Sequence, residues 1–356
     1  MIASAQRTDE PDTVRVRFGS GIRRDLAEEV ERLGARKALV LSTPQQSALA
    51  MEACETLGAR AAGVYTKAAM HTPVSVTSDA LTHLQETEAD CLISIGGGST
   101  IGLGKALAYR TDLPQITIPT TYAGSEATPI LGQTEDGVKT TLSDPKVLPE
   151  VILYDPELVA TLPAEMTVTS GLNAMAHAAE ALYAENRTEA STELAIDGLE
   201  ALINGLPKVL AKPTDLNARA ITQRGAWACG TVLGQVGMAL HHKLCHTLGG
   251  SFNLPHAETH AIILPHAMSY NMRSAAAELQ PITALLGGDD AGSALYTFAK
   301  SLNAPLALRD IGLAESDLDS AADLATQKPY PNPHPVTRDD IRTLLQAAWA
   351  GDAPAF

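Results

Sequence analysis

Four cysteines, Cys54, Cys91, Cys229 and Cys245, contain no CxxC pair, and two lie in apolar stretches where a thiol packs as a small hydrophobe. They read as reduced thiols. No stretch reaches the roughly 18 consecutive apolar residues of a membrane-spanning helix. The first thirty residues hold no apolar core of a secretion signal, carrying instead Arg7, Asp9, Glu10, Asp12, Arg15 and Arg17. A soluble, cytoplasmic protein is the expectation. Basic residues are also scarce: 26 Lys and Arg stand against 41 Asp and Glu, for a formal charge of −15. That field repels phosphate backbones and anionic lipid heads, so neither nucleic acid nor a membrane surface is an expected partner. An anionic substrate would need positive charge gathered locally.

What is present suits a globular enzyme. The 356 residues are 45% hydrophobic and 19% charged, with 27 Gly and 21 Pro, which excludes disorder, collagen and coiled coil. The length suggests two domains. From about residue 14 to 155, β-branched runs alternate with stretches of helical length, as in β-α-β units around a parallel sheet. The clearest strands are residues 37–42 (KALVLS), 61–65, 91–95 (CLISI), 115–118 (QITI) and 151–154, with helix-spaced apolar residues over 46–57 and 77–87. Beyond Asp155-Pro156 the strands nearly vanish. Ala- and Leu-rich segments run from Ser170 onward, punctuated by Pro207, Pro213, Pro255, Pro265 and Pro305, and read as a helical bundle. The expected division is therefore an α/β domain over 1–158 and an all-helical domain over 159–356, with YPNPHP at 330–335 an irregular loop.

The strand at 91–95 runs into Gly96-Gly97-Gly98-Ser99-Thr100, followed by helix formers. A glycine turn at a helix N-terminus presents backbone N–H groups and partial positive charge to an anion such as a pyrophosphate; a bare strand-to-helix turn is the alternative. It is neither GxGxxG nor a Walker loop. A second polar loop, Pro119 to Glu126 (PTTYAGSE), also follows a strand, at the edge where open α/β sheets bind ligands.

Six of the ten histidines fall between 241 and 266: His241, His242, His246, His256, His260 and His266. His242 and His246 share one face if their segment is helical, as do Asn173 and His177 upstream. Two such pairs on separate helices are how bundles build metal or catalytic sites, so Asn173, His177, His242, His246 and His256 are the candidate site. His71, His83, His334, His241 and His260 are assigned no role.

GGGST at Gly96 with Lys105 after it, PTT at Pro119, DPKVLPEVILYDPELVATLP from Asp144, GLNAMAHAAEALY from Gly171 and HHKLCHTLGGSFNLPH from His241 together resemble the iron-containing, group III alcohol dehydrogenase family, and within it the branch that reduces maleylacetate. The resemblance implies an N-terminal dinucleotide-binding α/β domain, a C-terminal helical domain, a catalytic cleft between them and at least a homodimer. It places Gly97, Gly98 and Ser99 at the cofactor pyrophosphate, Thr120 and Thr121 beside the nucleotide, and Lys139 within reach of it. After KALVLS this chain has Ser42-Thr43-Pro44 in place of an acidic residue, so NADH and NADPH are both expected to serve.

The family's metal ligands fall on Asn173, His177, His242 and His256, with His246 as the additional active-site histidine. Metal-dependent members carry Asp where this chain has Asn173, and commonly Asp where it has Gly102. Losing the one anionic ligand leaves three neutral imidazoles, so no catalytic iron is expected, although three histidines are a known zinc arrangement. The implied reaction is NAD(P)H-dependent reduction of the activated C=C bond of maleylacetate, a small dicarboxylate, with Lys243 the nearest cationic candidate for a substrate carboxylate. The alternatives are a metal-dependent alcohol or polyol dehydrogenase of the same family, a lyase resembling dehydroquinate synthase, and a non-catalytic nucleotide-binding protein.

Overall fold

The computed structural model describes residues 14–356; residues 1–13, which hold the charged start of the chain and the beginning of the expected first domain, lie outside the described residues. The described residues divide into two compact units, one of residues 14–121 and 125–162, the other of 122–124 and 163–356.

In the first unit β1 (Arg15–Phe18), β2 (Ala38–Leu41), β3 (Ala61–Tyr65), β4 (Cys91–Gly96), β5 (Gln115–Pro119) and β8 (Val151–Tyr154) form a parallel sheet in the order β1-β8-β5-β4-β2-β3. β6 (Ile130–Glu135) and β7 (Val138–Ser143) form a separate antiparallel pair. The helices are α1 (Leu26–Arg32), α2 (Ser47–Leu57), α3 (Val74–Thr87), α4 (Gly98–Thr111) and the single turn α5 (Pro156–Val159). Because side chains alternate along a strand, one run of apolar residues feeds two cores. Val40, Ile93, Ile116 and Val151 stand in register across four strands and pack with Leu26, Val30, Ala50 and Leu57 of α1 and α2. Leu39, Leu41 and Leu92 face the other way, onto Leu84 of α3 and Leu103 and Leu107 of α4. Ile93→Ala at the sheet centre would cost about 2–5 kcal/mol.

Asp155 explains why α5 stays with this unit. Its carboxylate caps α5, accepts from Gly21 N at 3.0 Å, and pairs with Arg23 at 2.8 Å. Two features were not read from the sequence. β1 is a four-residue edge strand with charged residues in it. The β6–β7 hairpin turns at Asp136 and Gly137, both at positive φ, a D-G turn signal between two half-polar strands.

The second unit is helical: α6 (Ala164–Ala181), α7 (Glu189–Ala211), α8 (Leu216–Gln235), α9 (Leu240–Phe252), α10 (His256–Leu286), α11 (Ala291–Ser301), α12 (Leu318–Thr326) and α13 (Arg338–Ala350). α6 is its spine, buried on every side from Thr167 to Ala181, which is why its sequence shows no polar face. Pro207 and Pro265, expected as breaks, lie inside α7 and α10. Around Pro265 every residue from Thr259 to Asn271 is buried, so packing outweighs the one lost helical hydrogen bond. Residues 122–124 join this unit through a close backbone approach: Gly124, at φ +79°, meets Gly230 of α8, where any Cβ would collide with the Gly124 backbone. Tyr122 reinforces the contact by receiving a hydrogen bond from the buried Arg219 at 3.1 Å. Among the described residues no helix is long and apolar enough to cross a membrane.

Candidate active site

The first unit assembles a cradle at the carboxyl ends of β2, β4 and β5, where the strand order switches direction. Gly96 pairs with Pro119 across the sheet, and Thr120 N donates to Gly96 O at 3.0 Å, so the glycine turn and the PTT loop lie side by side. α4 begins at Gly98, earlier than the sequence suggested, and its N-cap Gly97 offers no side-chain cap. The first N–H groups of the helix are thus left without a side-chain acceptor at its N-cap. A Cβ on Gly97 would press on Thr121 at 2.9 Å, whereas the space beside Gly98 is open. Gln46, unnoticed in the sequence, donates to Thr120 Oγ1 at 2.8 Å and ties the end of β2 to this loop. Ser42 is fully buried, its hydroxyl donating to Thr43 O, while Thr43 is half-buried at the rim.

Lys139 lies farther along, on β7, close enough to His71 to help depress that imidazole, whose burial acts first. Thr72 next to His71 packs against Gly102 of α4, where a Cβ would require the Thr72 hydroxyl to turn aside. Lys105 is buried beneath the cradle and donates to Ser125 O, Thr128 O and Ile130 O at 2.5–2.9 Å, so it fastens the segment that follows the PTT loop. Burial draws its ammonium down to about 7, against the opposing pull of the Glu126 carboxylate.

The second unit gathers the histidines. Asn173 and His177 sit one turn apart on α6, and His242 and His246 one turn apart on α9. His177 Nδ1 meets His242 Nε2 at 2.9 Å, and His177 Nε2 stands 3.3 Å from Ala123 O. The ring centre of His246 lies 6.1 Å from that of His242, and His256, at the start of α10, lies 4.3 Å from His260. Asn173, His177 and His242 are buried; His246 and His256 are exposed in the chain taken alone, and Lys243 is half-buried, with its ammonium 5.9 Å from the Tyr330 ring. Asn173 Oδ1 is a buried oxygen with no hydrogen-bond partner among the described residues.

Two histidines assigned no role belong to the same group. His241 Nε2 and His260 Nδ1 are 3.0 Å apart, and the His260 ring is 5.1 Å from His242 and 6.2 Å from His177. Cys245 Sγ approaches His241 Nε2 at 3.6 Å, so three metal-ligating side chains converge behind the site. The outer nitrogens, His241 Nδ1 and His260 Nε2, lack the hydrogen-bond acceptor that normally orients a ligating imidazole. Burial, then the neighbouring imidazoles, hold His177, His241 and His260 well below the usual histidine range, so these rings are neutral at pH 7.

Sequence reasoning missed one further residue of the site. Glu180 is fully buried on α6, three residues after His177 and seven after Asn173, and therefore on their face of the helix. Its carboxylate accepts from His242 Nδ1 at 2.7 Å.

Comparison with known proteins places this architecture. Residues 13–156 match iron-containing alcohol dehydrogenase, and residues 167–349 match the C-terminal part of the Fe-containing alcohol dehydrogenase family. The chain belongs to that family. It is 56% identical over 340 residues to a maleylacetate reductase of Rhizobium sp., covering 96% of this chain and 97% of that protein. The crystal structure of a maleylacetate reductase from Agrobacterium tumefaciens superposes with a TM-score of 0.94 at 55% identity, over 97% of this chain and 98% of that one. A 1,3-propanediol oxidoreductase shares the fold at 22% identity and a TM-score of 0.89, over 95% and 99% of the two chains.

Proposed function

We propose that the protein is an NAD(P)H-dependent oxidoreductase that reduces the C=C bond of maleylacetate to 3-oxoadipate. The observation that carries this reading is the histidine cluster around His177 and His242, in which an amide, Asn173, stands where the family resemblance places a carboxylate ligand. Such a cluster offers hydrogen bonds and protons.

The residues at the family's metal position fit iron poorly. Asn173 and three imidazoles supply no anionic ligand. Maleylacetate has less need of a Lewis acid than an unactivated aldehyde, because its ketone is conjugated to the double bond and withdraws charge from it. Addition of hydride at the carbon β to the ketone gives an enolate, which hydrogen-bond donors can stabilise and a proton at carbon can quench.

The dinucleotide fits the first unit. Gly97, Gly98 and Ser99 would hold its pyrophosphate at the uncapped start of α4, with Thr120, Thr121 and Thr43 beside the nucleotide and Lys139 as a further cation. NAD(P)H supplies the hydride. In the second unit His246, one turn beyond His242, is assigned the proton donor or enolate stabiliser, and His177, His242 and His256 the surrounding hydrogen bonds. Lys243 is assigned a substrate carboxylate, for which a chain of net charge −15 has few cations to offer. The reading includes a homodimer, as the family resemblance implies, and a cytoplasmic location.

Incubation with maleylacetate and NADH or NADPH, followed by product analysis, tests this directly. A saturated chain with its ketone intact is expected. Recovery of a secondary alcohol, or turnover of simple alcohols and aldehydes only, would move the protein to the metal-type dehydrogenases.

A further inference from the structure

We propose that Glu180 is the positioning residue of the histidine site, fixing which ring nitrogen of His242 carries the proton and, through His242, the direction of the hydrogen bond to His177. The proposal rests on the cluster being the reacting site. Glu180 Oε1 accepts from His241 N at 2.7 Å and Tyr183 OH at 3.3 Å; Oε2 accepts from Ala239 N at 3.0 Å and His242 Nδ1 at 2.7 Å. One carboxylate therefore does two things. It caps the start of α9, whose own N-cap, Ala239, has no capping side chain, and it grips the first turn's histidine.

The polarity follows from counting donors. The Glu180 oxygen that meets His242 Nδ1 already accepts from Ala239 N, so it is an acceptor there and Nδ1 carries a proton; with a single N–H on the ring, its Nε2 is a lone pair. His177 Nδ1, 2.9 Å away, must then be the donor, which leaves His177 Nε2 a lone pair as well. Ala123 O, 3.3 Å from that nitrogen, is itself an acceptor, so the contact is no hydrogen bond in this state. The opposite direction needs protons on both nitrogens of His242.

Glu180→Gln keeps the shape and one acceptor oxygen while turning the other position into a donor. Nitrogen-15 NMR of histidine-labelled protein should show His242 as the Nδ1–H tautomer in the parent and as the Nε2–H tautomer in the variant. Turnover should fall about 10–100-fold with KM little changed, as for loss of a partner that orients a catalytic imidazole. In a His242→Gln background, Glu180→Gln should cost nothing further, because its effect passes through His242. An Nε2–H or doubly protonated His242 in the parent overturns the proposal, as do additive losses in the cycle. Should Glu180→Gln fail to fold, the parent spectrum alone decides. A His242→Gln enzyme with undiminished turnover would instead sink the functional reading of the cluster, and the tautomer measurement would stand apart from it.

Discussion

His266 gives the cleanest handle on the acid stability of the helical unit. It lies on α10 at 1% exposure, and neither ring nitrogen has a partner among the described residues. Burial pushes it down to about 4, against about 6.5 in an unfolded chain. For a base whose folded pKa is depressed, the unfolded state binds more protons as pH falls below 6.5, so stability is lost from there down to the folded value. At pH 5.5 the unfolded imidazole is about nine-tenths protonated and the folded one hardly at all. Relative to pH 7.5, linkage then removes about 1.4 kcal/mol through this residue alone. His177, His241 and His260 act in the same direction. His266→Leu keeps the volume and deletes the titration. At pH 7.5 the variant should be as stable as the parent or more so, since a buried polar ring without partners is removed. Urea unfolding at pH 7.5 and 5.5, followed by the fluorescence of Trp227 and Trp349, both in this unit, should show the variant losing about 1.4 kcal/mol less than the parent on acidification. Equal acid losses in the two proteins would refute the reasoning, as would a variant destabilised by several kcal/mol at pH 7.5.

Three further outcomes are expected. Thorough chelation should leave most activity intact, while Asn173→Asp should raise divalent-ion affinity measured by calorimetry, since it restores the missing anionic ligand; activity lost on chelation and regained with one metal per chain would count against the neutral site. His246→Ala should lower kcat by roughly 100-fold or more in steady-state assays; a rise in KM alone would make the residue a binding group. Gly230→Ala should cost about 1–3 kcal/mol or more in thermal or urea unfolding, because the new methyl meets the Gly124 backbone and cannot displace a flexible side chain; an unchanged melting curve would show that residues 122–124 are free to yield.

The α/β half was legible because its strands are fully buried: the runs at 38–41, 91–96 and 151–154 are continuous apolar segments with helices between them, a pattern set by covering both faces of a sheet. Edge elements carry no such imprint. β1 mixes Arg15 and Arg17 with Val16 because it borders the sheet, and β7 is exposed along nearly its whole length, so neither has the periodicity that burial imposes. Proline misled for a related reason. Its cost of about 3 kcal/mol in a helix interior is a local quantity, and in α10 it is outweighed by burial that only the assembled bundle reveals.

The same distinction runs through the histidine site. Asn173, His177, His242 and His246 could be grouped in advance because helical spacing alone puts each pair on one face. His260 is four residues beyond His256 and shared that spacing, but its place among the other rings depends on how α9 and α10 pack, which spacing does not encode. Glu180 had the signal too, at i+3 from His177, but spacing does not tell a buried Glu in an Ala-rich helix from the commoner one that faces solvent. Its burial becomes intelligible only through α9, a helix that begins without a cap of its own and takes one from α6. A carboxylate is retained beside a neutral cluster, then, not as the missing metal ligand but at the far nitrogen of His242, where it directs a proton and starts a helix with the same two oxygens.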